Sequence, residues 1–291
     1  MHHGAPWVVT WDDHEVDNNY ANDISEKPNV LREDFLKRRA AAYQAYYEHM
    51  PIRKSCMPAG PDMQIYREVS HGQLVNFQVL DTRQYRTDQP EGDGMKTPGA
   101  GAMSPGATLL GQKQKEWLEK QLSSSHACWN VLAQQIMMAR VDREKGPGIK
   151  CSMDQWPGYE MERRAVLRTL RDLKVSNPVV ITGDIHSHWA NDLVVDFDGR
   201  ESEVVAAELV GTSISSAGDG KEKPKDHASI LSENPFVKFH NTQRGYVSCE
   251  INSKTWLTSY RTVDYVTRPG APQKTAASFV LESGRFGLQQ A

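Results

Sequence analysis

Only four cysteines occur in the 291 residues, and Cys56, Cys128, Cys151 and Cys249 form no CxxC pair. Their scatter argues against a zinc ribbon, a thiol redox motif and a disulfide-dense scaffold, and buried thiols are the expected state. No apolar run is long enough to span a bilayer. Met1-His2-His3-Gly4 opens without the charged leader and apolar stretch of an export signal. The formal net charge is only −3, with both signs interspersed, so no broad footprint for nucleic acid or an anionic membrane is present. A phosphate-bearing ligand must therefore be held locally. Walker A and GxGxxG patterns are missing, which removes the common nucleotide-binding readings. The GxSxG elbow is missing too, and Gly211-Thr212-Ser213-Ile214-Ser215-Ser216 lacks the closing glycine, so a serine hydrolase has little support. Internal repeats and low-complexity tracts do not occur.

What is present alternates helix and strand. Trp7-Val8-Val9-Thr10-Trp11 is short, β-branched and aromatic, and reads as a buried strand. Leu31, Phe35, Ala42, Tyr43 and Tyr46 recur at helical spacing within 29–49, and Pro51 helps to end that helix. Residues 63–70 and 73–80 flank His71-Gly72 and predict a β-hairpin. Between Tyr85 and Thr108 the chain is rich in Gly, Pro, Asp and Met without a period, the pattern of a long loop. A helix over 111–124, a buried strand over 128–135, a helix over about 159–174 and a buried strand over 178–182 follow. Later strands near Leu193, Val204, Tyr246 and Trp256 read as a meander in a second sheet. The expectation is one compact α/β unit over 1–291.

Two apolar strands end in metal-capable clusters, Asp12-Asp13-His14-Glu15 and Asp184-Ile185-His186-Ser187-His188. Loops at strand ends are free to carry polar groups into a crevice while the strand stays buried. Residues i and i+2 of an extended chain share a side, so Asp184 and His186 are expected to converge, with His188 as a third member if that geometry persists. Adjacent Asp13 and His14 diverge in a strand, which suits Asp13 to metal ligation and His14 to the substrate. Asp12, Glu15 and Asp17 read as a solvated loop or as partners behind the ligands. His2, His3, His49, His71, His126, His227 and His240 read as packing or surface histidines. Mixed oxygen and nitrogen donors suit iron, manganese or zinc, and an oxygen-dominated half suits calcium or magnesium.

The segments Trp11-Asp12-Asp13-His14-Glu15-Val16, Leu80-Asp81-Thr82-Arg83-Gln84-Tyr85-Arg86 and Gly183-Asp184-Ile185-His186-Ser187-His188-Trp189 resemble the alkaline phosphatase D family of calcineurin-like metallophosphoesterases. Leu110-Gly111-Gln112, Trp129-Asn130-Val131-Leu132, Trp156-Pro157-Gly158-Tyr159 and Arg244-Gly245-Tyr246 extend the similarity in the family's order. The resemblance implies an α/β metallophosphoesterase-like sandwich of two mixed β-sheets flanked by helices. It implies an iron and calcium cluster at the strand ends, phosphate mono- and diesters as substrates, and export. It makes Asp13 a metal ligand and His14 the proton donor to the leaving oxygen. Asp184 and His186 resemble a Gly-His-x-His motif whose first His is Asp. Gln134 falls where related enzymes place a further ligand, and a satisfied core amide is the competing reading. Arg83 and Arg244 are candidate phosphate clamps, or structural. The family's Cys-containing first motif and Gly-Asp-x-x-Tyr second motif have no counterpart before Trp11. A C-terminal portion of the domain, lacking its N-terminal strands, is therefore expected. Two other readings accompany hydrolysis of phosphate esters: a catalytically impaired fragment, and a phospholipid-directed esterase whose selectivity lies in the loop from Tyr85 to Thr108.

Overall fold

A computed structural model describes residues 2–199 and 203–291. Its first helix, α1 (Arg32–His49), starts with Glu33 and Asp34 in the first turn, charges that complement the helix dipole. Then come β1 (Arg67–His71), β2 (Val75–Val79), β3 (Met95–Lys96), α2 (Gly111–Ser124), β4 (Trp129–Ala133), β5 (Cys151–Ser152) and α3 (Glu160–Asp172). The second half holds β6 (Pro178–Thr182), β7 (His188–Val194), β8 (Val204–Val210), α4 (His227–Glu233) and β9 (Val237–Asn241), and finally β10 (Gly245–Ile251), β11 (Thr255–Val263), β12 (Gln273–Glu282) and β13 (Gln289–Gln290).

Seven strands form one mixed sheet in the order β1-β2-β4-β6-β8-β7-β9. Strands β2, β4, β6 and β8 run parallel, so their carboxyl ends share one edge. Parallel neighbours require crossovers, and α2 and α3 supply those into β4 and β6. Side chains then alternate between faces. Leu132 and Val180 join Leu118, Leu122, Val166 and Leu167 in the core beneath the helices. Val131 and Val179 face the other way, against Trp256, Tyr260, Phe279 and Leu281 of the second sheet. That sheet, β10-β11-β12-β13, is antiparallel throughout.

The α/β sandwich is as expected, with two corrections. Leu193 and Val204 lie in β7 and β8 of the large sheet, so of the four strands expected in the second sheet only those of Tyr246 and Trp256 belong to it, joined by β12 and β13. Residues 7–11 form no strand: Trp7 and Val8 are exposed, while Val9 and Trp11 are buried. Side chains hold this segment where a ladder was expected. Arg67 Nη2 donates to Val9 O, and Gln135 Nε2 donates to Trp11 O and Leu80 O. Trp11 stacks on Tyr43 of α1, with centroids 4.1 Å apart. The predicted hairpin is present, with β1 and β2 antiparallel across His71-Gly72.

Candidate metal centre

The loops leaving β2, β6 and β8 meet at the common edge of the parallel strands, the usual place for a ligand crevice in such sheets. Residues 12–19 and the loops after β6 and β8 enclose a cleft of about 370 Å³, with the loop after β2 behind it. Asp12, Asp13, His14, Glu15, Asp184, His186, Thr212 and Ser213 are among its lining residues. Asp13, His14, Asp184 and His186 are thus brought together as the sequence indicates.

The ligand geometry differs from that expectation. Carboxylate oxygens of Asp12, Asp13 and Asp184 lie within 4.8 Å of one another, while His186 stands exposed at the rim. Val16 N and Asp17 N both donate to Asp13 O, so the chain turns at Asp13 and the alternation of a strand does not apply. Asp12 and Asp13 consequently converge. Asp13 also caps this turn, its two oxygens accepting His14 N–H at 2.8 Å and Asn19 N–H at 2.9 Å. Asp184 and His186 both have left-handed backbones, with φ of 62° and 53°. The extended i, i+2 argument therefore fails, and strain of this kind is concentrated at functional sites.

Arg83 organises the carboxylates from behind. Its Nε donates to Asp12 Oδ1 at 2.7 Å, Nη1 to Asp154 Oδ2 at 2.7 Å and Nη2 to Asp184 Oδ1 at 3.0 Å. The guanidinium is wholly buried and is not among the residues lining the cleft. Arg86 shares Asp154 at 2.7 Å. Burial would raise the Asp154 carboxyl, but Arg83 and Arg86 outweigh it and hold it well below the ordinary range. Asp184 moves the other way, to about 8, pushed by burial and then by the Asp12 carboxylate against the opposing pull of Arg83.

A divalent cation fits this donor set. Asp12, Asp154 and Asp184 pair with Arg83, Asp154 also pairs with Arg86, and Asp13 stands beside Asp12 and Asp184, so four carboxylates face two guanidiniums and the cluster is acidic once Asp184 is ionised. Carboxylates gathered so closely repel one another, and a bound cation removes that repulsion.

Three other candidates are not among the residues lining the cleft. Gln134 is a satisfied core amide: Nε2 donates to Thr182 Oγ1 and Ile136 O, and Oε1 accepts from Trp156 Nε1. His188 is buried at the start of β7, packed edge-on to Tyr260, and its Nδ1 accepts Thr212 N–H. Burial lowers its pKa to about 4, so it stays neutral. Arg244 is 2% exposed and reaches the cleft walls only through their backbone and Ser213. The long loop touches the rim where Asn19 Nδ2 donates to Asp93 Oδ2. From the sequence, Asp12 reads as part of a solvated loop or as a partner behind the ligands, and neither Asp154 nor Ser213 is singled out for the site. Adjacency to Asp13 was the one signal for Asp12, and none marked the other two.

A sandwich whose parallel strands end at a carboxylate cluster, with two histidines on the same cleft, defines an α/β protein built around a candidate metal centre. Comparison with known proteins narrows the class. A family model described as PhoD-like phosphatase matches residues 1–260. Alkaline phosphatase D of Bacillus subtilis (strain 168) is 50% identical over 289 residues, which are 99% of this chain and 49% of that protein. A solved structure described as "Structure of PhoD" superposes with a TM-score of 0.94 at 50% identity, covering 98% of this chain and 54% of that one. The chain belongs to the PhoD-like phosphatase family, and it spans about half the length of these relatives.

Proposed function

We propose that the chain takes part in metal-dependent hydrolysis of phosphate mono- and diesters, in keeping with the phosphatase activity that the name alkaline phosphatase D gives to its relative. The observation that carries this reading is the convergence of Asp12, Asp13 and Asp184 on a cleft that also presents His14 and His186. Asp12, Asp13 and Asp184 would hold the cation, with His186 as a nitrogen donor at the rim. Iron and calcium are the proposed metals: oxygen donors suit calcium, an imidazole suits iron, and manganese, zinc or magnesium compete on the same chemistry. When bound, such a cation stabilises charge on phosphoryl oxygens and lowers the pKa of a water it holds.

The chain's own residues do the rest. Arg83 keeps Asp12 and Asp184 oriented, since one bond to each fixes the direction of its carboxylate. His14 is exposed, with Nε2 3.9 Å from Asp13 Oδ2. The ring lies on the cleft, placed to pass a proton to the departing alkoxide. Export, typical of the family, belongs to the same proposal.

One observation favours a second reading, impaired catalysis: Arg83 already engages one oxygen of both Asp12 and Asp184, which weakens their hold on a cation. Hydrolysis of bis-p-nitrophenyl phosphate by the purified chain with added iron and calcium separates the two. Turnover that disappears in Asp184→Asn supports the enzyme. A folded, metal-loaded chain without turnover supports the impaired reading.

A further inference from the structure

The wall formed by the loop after β8 brings the hydroxyls of Thr212 and Ser213 to the cleft. Gly211 N–H donates to Thr182 O and Thr212 N–H to His188 Nδ1, while Ser213 O accepts Gly245 N–H. Ser213 is thereby pinned three residues beyond Val210, on the same cleft as Asp184. A phosphoryl dianion entering an acidic cleft needs donors as well as a cation, and this wall is where they stand.

Arg244, just before β10, sits behind that wall. Its Nη1 donates to Ser213 Oγ at 2.6 Å and to Ser216 O, and its Nη2 donates to His186 O at 3.0 Å and to Thr242 O. All four acceptors are neutral, and no carboxylate of the described residues forms an ion pair with this buried guanidinium. Its Nε has no partner either among the described residues. A buried cation lacking a counter-charge is costly, so its retention beside an anion-sized cleft calls for an explanation.

The hydroxyl of Ser213 supplies one. Because its oxygen accepts from Arg244, its own proton points elsewhere, to Ser216 O at 2.9 Å. Ser216 O also accepts from Arg244 Nη1, so it keeps a strong donor if Ser213 turns away. A hydroxyl that accepts from a cation becomes a better donor.

Resting on the phosphoester reading, we propose that Ser213 is a phosphate-binding residue of the cleft and that Arg244 is the positioning residue that polarises its hydroxyl. Arg244 also ties the His186 loop to the Ser213 loop, keeping the cation side and the hydroxyl side of the cleft in register.

Calorimetric titration of the metal-loaded chain with inorganic phosphate tests this in wild type, Ser213→Ala, Arg244→Lys and the double variant. Ser213 is half-exposed, so its truncation leaves the fold intact and keeps the test sound even if Arg244→Lys folds poorly. Loss of one charge-assisted hydrogen bond predicts phosphate binding weakened roughly tenfold in Ser213→Ala. Its KM for bis-p-nitrophenyl phosphate should rise more than its kcat falls. Arg244→Lys should weaken phosphate in the wild-type background and add little in Ser213→Ala, a coupling that a merely structural arginine would not show. Wild-type binding that Ser213→Ala leaves unchanged overturns the inference while the phosphoester reading stands. A metal-loaded wild-type chain that binds no phosphate overturns both.

Discussion

Arg83 Nη2 donates to Asp184 Oδ1 at 3.0 Å from a position with no solvent exposure, which makes the arginine a built-in counter-ion for the candidate metal centre. The same side chain satisfies Asp12 and Asp154, so three loops distant in sequence depend on one cation.

Arg83→Met should therefore destabilise the fold strongly. It leaves buried Asp154 and half-buried Asp12 and Asp184 without their shared partner, and breaking buried pairs of this kind typically costs about 3–5 kcal/mol. Urea denaturation at pH 7 measures it. A loss below about 1 kcal/mol would show that the cluster is not the structural tie described above.

Asp184 carries a pH signature of the opposite sign. Its folded pKa, about 8, lies above the ordinary 3.8. The folded state therefore binds more protons than the unfolded state between those values, and stability of the metal-free chain falls as pH rises through that window. Asp184→Asn should raise the metal-free melting temperature at pH 9 by the equivalent of roughly 2 kcal/mol or more. Below about pH 3.8 Asp184 is neutral in both the folded and the unfolded state, so the two proteins should melt together there. Equal melting at pH 9 would contradict the raised pKa.

His240 predicts acid lability. It stacks on Trp189 with centroids 3.9 Å apart, and burial, helped by Arg143, lowers its pKa from 6.5 to about 4. The unfolded state takes up protons first, so stability drops as pH falls from about 6.5 to about 4, by on the order of 3 kcal/mol for this group. His240→Phe keeps the ring and should flatten the stability profile in that window by a similar amount. An unchanged slope would place the acid sensitivity elsewhere.

Gly158 tests the support beneath Asp154. A Cβ there would lie 2.1 Å from Met153 O, a contact with backbone that no side-chain rotamer relieves. Gly158→Ala should cost at least about 2 kcal/mol, and the displaced Met153-Asp154 backbone should loosen the Arg83 network. Thermal unfolding and near-ultraviolet circular dichroism would report both effects.

Local pattern was enough to locate the helices over 111–124 and 160–172, the hairpin around His71-Gly72 and the buried strands β4 and β6. Apolar period and turn chemistry are properties of neighbouring residues, and they need no knowledge of the partner surface. The same local logic misread residues 7–11, where a β-branched run is held by Arg67 and Gln135 side chains in place of a ladder.

For the site, the sequence by itself determined which residue types stand at the strand ends and that Asp13, His14, Asp184 and His186 belong to one family pattern. Tertiary structure alone decided that Asp12 joins the carboxylate group, because a turn at Asp13 cancels strand alternation. It alone sent Gln134 and His188 into the core and withdrew Arg83 and Arg244 from the surface. The physical reason is distance along the chain. Arg83 meets partners 71 and 101 residues away, and Arg244 meets His186 across 58, so those roles exist only once β2, β6, β8 and β10 have brought their loops to one edge.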